Sequence, residues 1–237
     1  SLGISFDQSV GHDFLEDGDE RYEHYHRKEE RIPFDIDILN KITKGGIPRK
    51  SMTVLLATTG GGKSLLKCHF AANHLMYGKN VLYITMEMAA EEIGRRIDAN
   101  IMDITLDEVA EVPRDVFEKR MNRYKSKTTG KLVIKEFPTG SANSGHFRHL
   151  LNELKLKKNF APDVIYLDYL NICSSARVKG AAAANSYTLV KSIAEEVRGL
   201  AMEYNCAIVT SSQYNRDAYG NSDVDLTNTS ESMGITH

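Results

Sequence analysis

The chain has 237 residues, 41% of them hydrophobic and 26% charged, with a formal net charge of −2 at pH 7. A soluble globular protein has this balance, and a chain this long buries roughly 70% of its unfolded surface, so one core needs no disulfide or metal to hold it. No apolar run approaches the length of a membrane span, and Cys68, Cys173 and Cys206 have no C-x-x-C spacing, which argues against a disulfide framework or a zinc site.

The first residues differ in texture from the rest. Residues 1–35 carry ten acids and four bases, a balance of −6, which leaves +4 for the remainder. A mildly basic body is weakly compatible with an anionic partner, and on charge alone two differently solvated surfaces are the better reading. Phe14, Tyr22 and Tyr25 fall on one thin helical stripe, and Pro33 is expected to end that helix, because the residue before a proline avoids helical backbone. Such a helix cannot bury enough surface to stand alone, so it must dock on its own domain or on a neighbouring subunit. The N-terminus lacks the basic and apolar regions of a signal peptide, so a cytoplasmic location and no membrane partner are expected.

From Ile36 onward strand and helix patterns alternate. Strands are predicted over 52–57 (MTVLLA), 81–85 (VLYIT), 132–137 (LVIKEF), 164–167 (VIYL) and 207–210 (AIVT). Helices are predicted over 63–77, around 91–101, within 115–125, and over 146–158 and 187–204. Short apolar strands alternating with amphipathic helices call for an α/β fold, a mostly parallel sheet with helices on both faces. Residues 177–186 (RVKGAAAANS) and 215–237 read as loops.

The strongest chemical signal is Ala57-Thr58-Thr59-Gly60-Gly61-Gly62-Lys63-Ser64, a phosphate-binding P-loop with Ala at its first position, between a predicted strand and a predicted helix. Glycines let successive N–H groups turn inward toward phosphate oxygens, and the helix that follows adds its positive N-terminus. Lys63 is placed to reach the β- and γ-phosphates, and the Ser64 hydroxyl to bind Mg²⁺. Asp168 closes the predicted 164–167 strand; such an Asp is commonly a turn or helix cap, but beside a P-loop it reads as the carboxylate that holds the ion. Glu87 follows the 81–85 strand, on the sheet edge where open α/β folds bind ligands. It reads either as the group that orients the attacking water or as an N-terminal acid of the next helix. Gln213, just past the fifth strand, reads either as an amide that senses the γ-phosphate or as a solvated loop residue. His146 and His149 lack a third ligand and read as a surface pair, His24 and His26 have no assigned role, and Cys68 reads as core packing.

Taken together, these pieces resemble the RecA-like motor domain of DnaB-family replicative helicases, especially those of T-even-like tailed phages. The residues that carry the resemblance are 34–48 (FDIDILNKITKGGIP), the P-loop, 83–88 (YITMEM), 97–99 (IDA), 150–160 (LLNELKLKKNF), 168–170 (DYL), 186–196 (SYTLVKSIAEE), 212–216 (SQYNR) and 230–235 (SESMGI). The resemblance implies a RecA-like P-loop NTPase over 33–237, preceded by an acidic linker over 1–32 whose helix docks on the next subunit. It implies ATP and Mg²⁺ as ligands, Glu87 as the catalytic glutamate, and Gln213 as the residue that couples nucleotide state to DNA-binding loops. Those loops would be 177–186 and 215–228, with Arg177, Lys179 and Arg216 as candidate DNA contacts. It further implies a ring of subunits, expected to be a hexamer, that travels 5′ to 3′ on single-stranded DNA and works with primase and other replisome proteins. The family's last strands and arginine finger lie beyond the point where this chain stops. No finger can be nominated, and this piece alone is expected to be weakly active or inactive. The alternatives are a RecA-like recombinase or regulatory ATPase, and a nucleotide-binding interaction module without hydrolysis.

Overall fold

The computed structural model describes residues 13–26, 30–58, 60–178 and 186–212. The chain forms two compact units, Ser1–Glu30 and Arg31–His237. The first contains α1 (Gly18–His26). Ahead of it, the Asp13 carboxylate accepts the Leu15 and Glu16 amides at 3.0 and 3.1 Å, and the Arg21 guanidinium lies 4.2 Å over the Phe14 ring. Phe14, Tyr22 and Tyr25 are exposed, as expected of a stripe too thin to bury itself. Pro33 is not what ends this helix. The helix is described as far as His26, and ahead of the proline Arg31–Ile32 is already extended as β1, paired antiparallel with β2 (Ile47–Pro48).

In the second unit the five predicted strands appear as β3 (Met52–Leu56), β4 (Val81–Thr85), β5 (Leu132–Glu136), β6 (Val164–Asp168) and β7 (Ala207–Ser212). They form one parallel sheet in the order β3-β7-β6-β4-β5. The predicted helices are α3 (Lys63–Met76), α4 (Ala90–Met102), α6 (Arg114–Lys127), α7 (Ser144–Lys158) and α8 (Ser186–Glu203). Two short helices, α2 (Asp37–Ile42) and α5 (Leu106–Glu111), come in addition.

Strand alternation explains the layering, because neighbouring side chains point to opposite faces of a sheet. Val81, Tyr83, Val164, Tyr166, Ala207 and Val209 face one core with Cys68 and Phe70 of α3 and Ile93 and Ile97 of α4. Leu82, Ile84, Ile165, Leu167 and Ile208 face the other, with Phe147 and Leu151 of α7 and Ile193 and Val197 of α8. Among the described residues no helix is long and apolar enough to cross a membrane.

His74 sits fully buried on α3 between the β1 end of the chain and the sheet. Its Nε2 lies 3.0 Å from the Pro33 carbonyl, which can only accept, so that nitrogen donates and Nδ1 accepts the Tyr166 hydroxyl at 2.8 Å. Burial pushes the imidazole down from 6.5 to about 4, against the opposing pull of the Pro33 hydrogen bond. The folded protein therefore binds fewer protons than the unfolded chain between these values. Stability should fall as pH drops from 6.5 toward 4, with a full penalty of about 3 kcal/mol. Urea midpoints at pH 7 and pH 4.5 check this. Wild type should lose more than His74→Phe across that interval, and equal losses would refute the assignment.

Candidate nucleotide-binding site

The β3–α3 connection curls because its glycines permit it, for two different reasons. Gly60 and Gly62 have φ of 76° and 78°, in the left-handed region that side chains disfavour. Gly61 is a matter of space: a Cβ there would lie 2.9 Å from the Ala57 Cβ and 3.0 Å from the Thr58 carbonyl oxygen. Gly62 caps α3 with no side-chain hydrogen bond, which leaves the first N–H groups of the helix for a ligand. The Lys63 ammonium donates to the Ala57 and Thr58 carbonyls at 2.8 and 2.7 Å, across the mouth of the loop. Burial pulls its pKa down, while Glu87 and Asp168 pull it back up, so Lys63 feels both carboxylates.

The parallel register brings those carboxylates together. Thr85, the last residue of β4, pairs with Asp168, the last residue of β6, and the Met86 amide donates to the Asp168 carbonyl at 3.0 Å. Beyond Thr85 the chain turns. The Thr85 hydroxyl donates to the Met88 carbonyl at 2.7 Å and accepts the Met88 amide at 3.2 Å, which leaves Glu87 exposed at the tip of the turn. The resulting cleft, about 390 Å³, is lined by Gly60–Gly62, Lys63, Ser64, Glu87 and Asp168, and also by Arg96 of α4. This volume lies within the ordinary range for small-molecule sites.

The structure brings together most of the residues expected at this site. Thr58 takes part through its carbonyl. Thr59, Lys179, Gln213, Arg216 and residues 215–237 lie outside the described residues. Arg177 is not in the cleft lining; it stands at the root of the 177–186 segment, 3.6 Å from Glu195 of α8. His146 serves α7 as part of a capping box with Asn143, and Cys68 is core, with its thiol against the Tyr83 hydroxyl.

Sequence reasoning missed Lys67. This lysine is fully buried on α3 and forms an ion pair with Asp168 Oδ1, and it also donates to Ser211 Oγ at 2.7 Å. Tyr83 donates to the other oxygen, Oδ2, at 3.1 Å. Burial pushes the Lys67 pKa down, against the Asp168 charge that supports it, and pushes the Tyr83 hydroxyl well up. The signal was present in the sequence: Lys67, Phe70, Ala71 and His74 recur on one stripe of α3, and that stripe is the buried one.

The residues present fit a magnesium ion. Ser64 and Asp168 both line the cleft and offer hard oxygen donors. Both Asp168 oxygens already accept a proton donor, which suits contact through water, and magnesium keeps much of its water shell.

Residues 32–231 match the profile of the DnaB-like helicase C-terminal domain. The chain is 46% identical over 238 aligned residues to a DnaB-like replicative helicase of Enterobacteria phage T4, covering 99% of this chain and 50% of that protein. A probable plasmid replicative DNA helicase of Chlamydia trachomatis is 28% identical over 177 residues, 73% of this chain and 37% of the relative. The chain thus spans half or less of the curated relatives it matches. Among solved structures, a DnaB-like replicative helicase described with its primase interactions superposes with a TM-score of 0.69 at 18% identity, over 90% of this chain and 50% of that one. A solved ATPase domain superposes with a TM-score of 0.70 at 17% identity, over 91% of this chain and 76% of that one. At these identities the structural likeness speaks for a shared RecA-like fold.

Proposed function

The chain belongs to the DnaB-like helicase C-terminal domain family, and from that premise we propose that it is the ATP-hydrolysing motor of a replicative DNA helicase that encircles single-stranded DNA as a ring. The observation that carries this reading is the convergence of the P-loop, Glu87 and Asp168 on one cleft at the carboxyl edge of the sheet. A phosphate-binding loop alone would suit many functions. A carboxylate held opposite it, at the tip of a turn fixed by Thr85, suits hydrolysis.

In this reading the N–H groups of Gly60–Lys63 bind the phosphates of ATP, and the Lys63 ammonium leaves the Ala57 and Thr58 carbonyls to meet phosphate oxygens. Ser64, and Asp168 through water, would hold magnesium, which supplies neutralisation of phosphate charge. Glu87 orients a water for in-line attack on the γ-phosphorus and takes its proton as the bond to ADP breaks. Charge on the transferring group is stabilised by Lys63 and by an arginine from a neighbouring subunit. Gln213 follows β7 in sequence and would pass the state of the γ-phosphate to loops that hold DNA. Arg177, Lys179 and Arg216 would meet its backbone, so affinity should fall steeply with salt. Hexameric assembly, 5′-to-3′ travel and a primase partner belong to the same proposal and rest on family resemblance.

The test is ATP turnover by the full-length protein with and without single-stranded DNA, alongside its mass in solution with Mg²⁺-ATP. Turnover stimulated severalfold by DNA, from an assembly of ring size, is expected. Turnover indifferent to DNA from a monomer or dimer would overturn the helicase reading in favour of a regulatory ATPase.

A further inference from the structure

We infer that Lys67 is the built-in counter-ion of the Asp168 carboxylate, and that it makes cation binding at Asp168 conditional on a phosphate-bearing ligand. The inference rests on the reading of Asp168 as the metal-side carboxylate of the ATP site.

Lys67 and Asp168 are both out of water, at 0% and 1% exposure, and their ion pair ties α3 to β6. The ammonium has three protons and three acceptors: Asp168 Oδ1, Ser211 Oγ at 2.7 Å and the Leu167 carbonyl at 3.5 Å. With Tyr83 on Oδ2, the carboxylate is held from two sides in one orientation. A buried carboxylate that waited for metal alone would have to be stabilised by that metal. Here the protein itself provides the positive charge, so the carboxylate is already neutralised.

The remaining charges of the cleft point the same way. Lys63 and Arg96 line it together with Glu87, and Lys67 lies behind Asp168, so three cations stand against two carboxylates. A bare divalent ion entering there meets net repulsion at short range. The same ion carried by an ATP polyphosphate enters with excess negative charge, which Lys63, Arg96 and the P-loop amides favour. Lys67 thus acts as a positioning residue. It fixes the Asp168 carboxylate in one orientation at the cleft lining and leaves it too well neutralised to collect metal by itself.

The experiment measures metal binding without nucleotide in the full-length protein, by thermal shift against MgCl₂ and by titration of Mn²⁺ alone. Wild type should show almost no response to either ion until ATP is added. Lys67→Met keeps the apolar stem and removes the charge. It should melt lower in the absence of metal, regain stability with millimolar Mg²⁺ alone, and bind Mn²⁺ at least roughly tenfold more tightly than wild type, the scale of one displaced charge at close range. The double variant Lys67→Met/Asp168→Asn should lose that metal response while recovering much of the melting temperature.

Equal Mn²⁺ affinity in wild type and Lys67→Met would overturn the inference and leave Asp168 as a magnesium ligand untouched. Nucleotide-independent Mn²⁺ binding by wild type that disappears in Asp168→Asn would overturn it too, with no need for Lys67→Met to fold. If Asp168→Asn left the stabilisation by Mg²⁺-ATP unchanged, the metal-side reading of Asp168 would fall and take the inference with it.

Discussion

Glu87→Gln in the full-length protein is expected to lower ATP turnover by roughly 10²–10⁴-fold, the usual contribution of a positioned general base, while ATP binding changes little. The amide keeps the size and most of the hydrogen bonding of the carboxylate, but it cannot take a proton from water. The competing role, an acid that stabilises the N-terminus of α4, is already filled by other residues. Glu91 and Glu92 stand in the first turn of that helix, and the Ala90 amide donates to the Glu136 carboxylate at 2.9 Å. Glu87 lies before the Ala89 cap, outside that turn. If it served only the helix dipole, the substitution would cost at most about 1 kcal/mol of stability and nothing in turnover. Single-turnover hydrolysis and nucleotide binding, measured on the same preparation, separate the two. Turnover retained to within threefold would remove Glu87 from the mechanism.

The sheet was legible because parallel strands covered on both faces need apolar residues on both, so they read as short unbroken runs. Asp168 was legible for the same reason, as a carboxylate that closes such a run. The end of β7 was not, because Ser211 and Ser212 are polar. They belong to the strand through backbone pairing with Leu55 and Leu56 of β3, and their hydroxyls are satisfied inside the protein, the first accepting from Lys67 and the second donating to Asn171. Periodicity could not reveal α2 or α5, since six residues make fewer than two turns. A different cue announced α5: Thr105 and Glu108 have the spacing of a capping box and form one. Pro33 was assigned a helix stop that it does not provide, because strand pairing at Arg31–Ile32 takes the chain out of helical backbone first. The P-loop, Asp168 and Glu87 were readable as motif positions, whereas Arg96, which α4 brings into the same cleft, carried no motif. The Lys67–Asp168 pair was not readable either, because it joins positions about a hundred residues apart that only the parallel register makes neighbours.

Glu196→Ala is expected to destabilise the protein by about 3 kcal/mol, the scale of leaving several buried donors without their charged acceptor, and so to lower Tm by roughly 6–12 °C in a chain of this size. The Glu196 carboxylate, on the buried face of α8, accepts the Ser144 hydroxyl at 2.5 Å and the Ser175 hydroxyl at 2.6 Å. It also accepts the Ala176 amide at 3.1 Å and the Arg177 amide at 3.4 Å. Burial alone would raise its pKa, but these hydrogen bonds outweigh it and hold the group below the ordinary value of 4.5. Its contribution to stability is therefore complete above that pH and is lost as the pH falls beneath it. One carboxylate thus fastens the start of α7 and the root of the 177–186 segment to α8. If that segment contacts DNA as proposed, Glu196→Ala should weaken single-strand binding about tenfold, equivalent to roughly 1.4 kcal/mol, without altering the salt dependence, because no phosphate contact is removed. Arg177→Ala, by contrast, should lower the salt slope itself. A Glu196→Ala protein with an unchanged Tm would show that the hydroxyls and amides find other acceptors, and one that binds DNA normally despite a lowered Tm would detach the 177–186 segment from the DNA path.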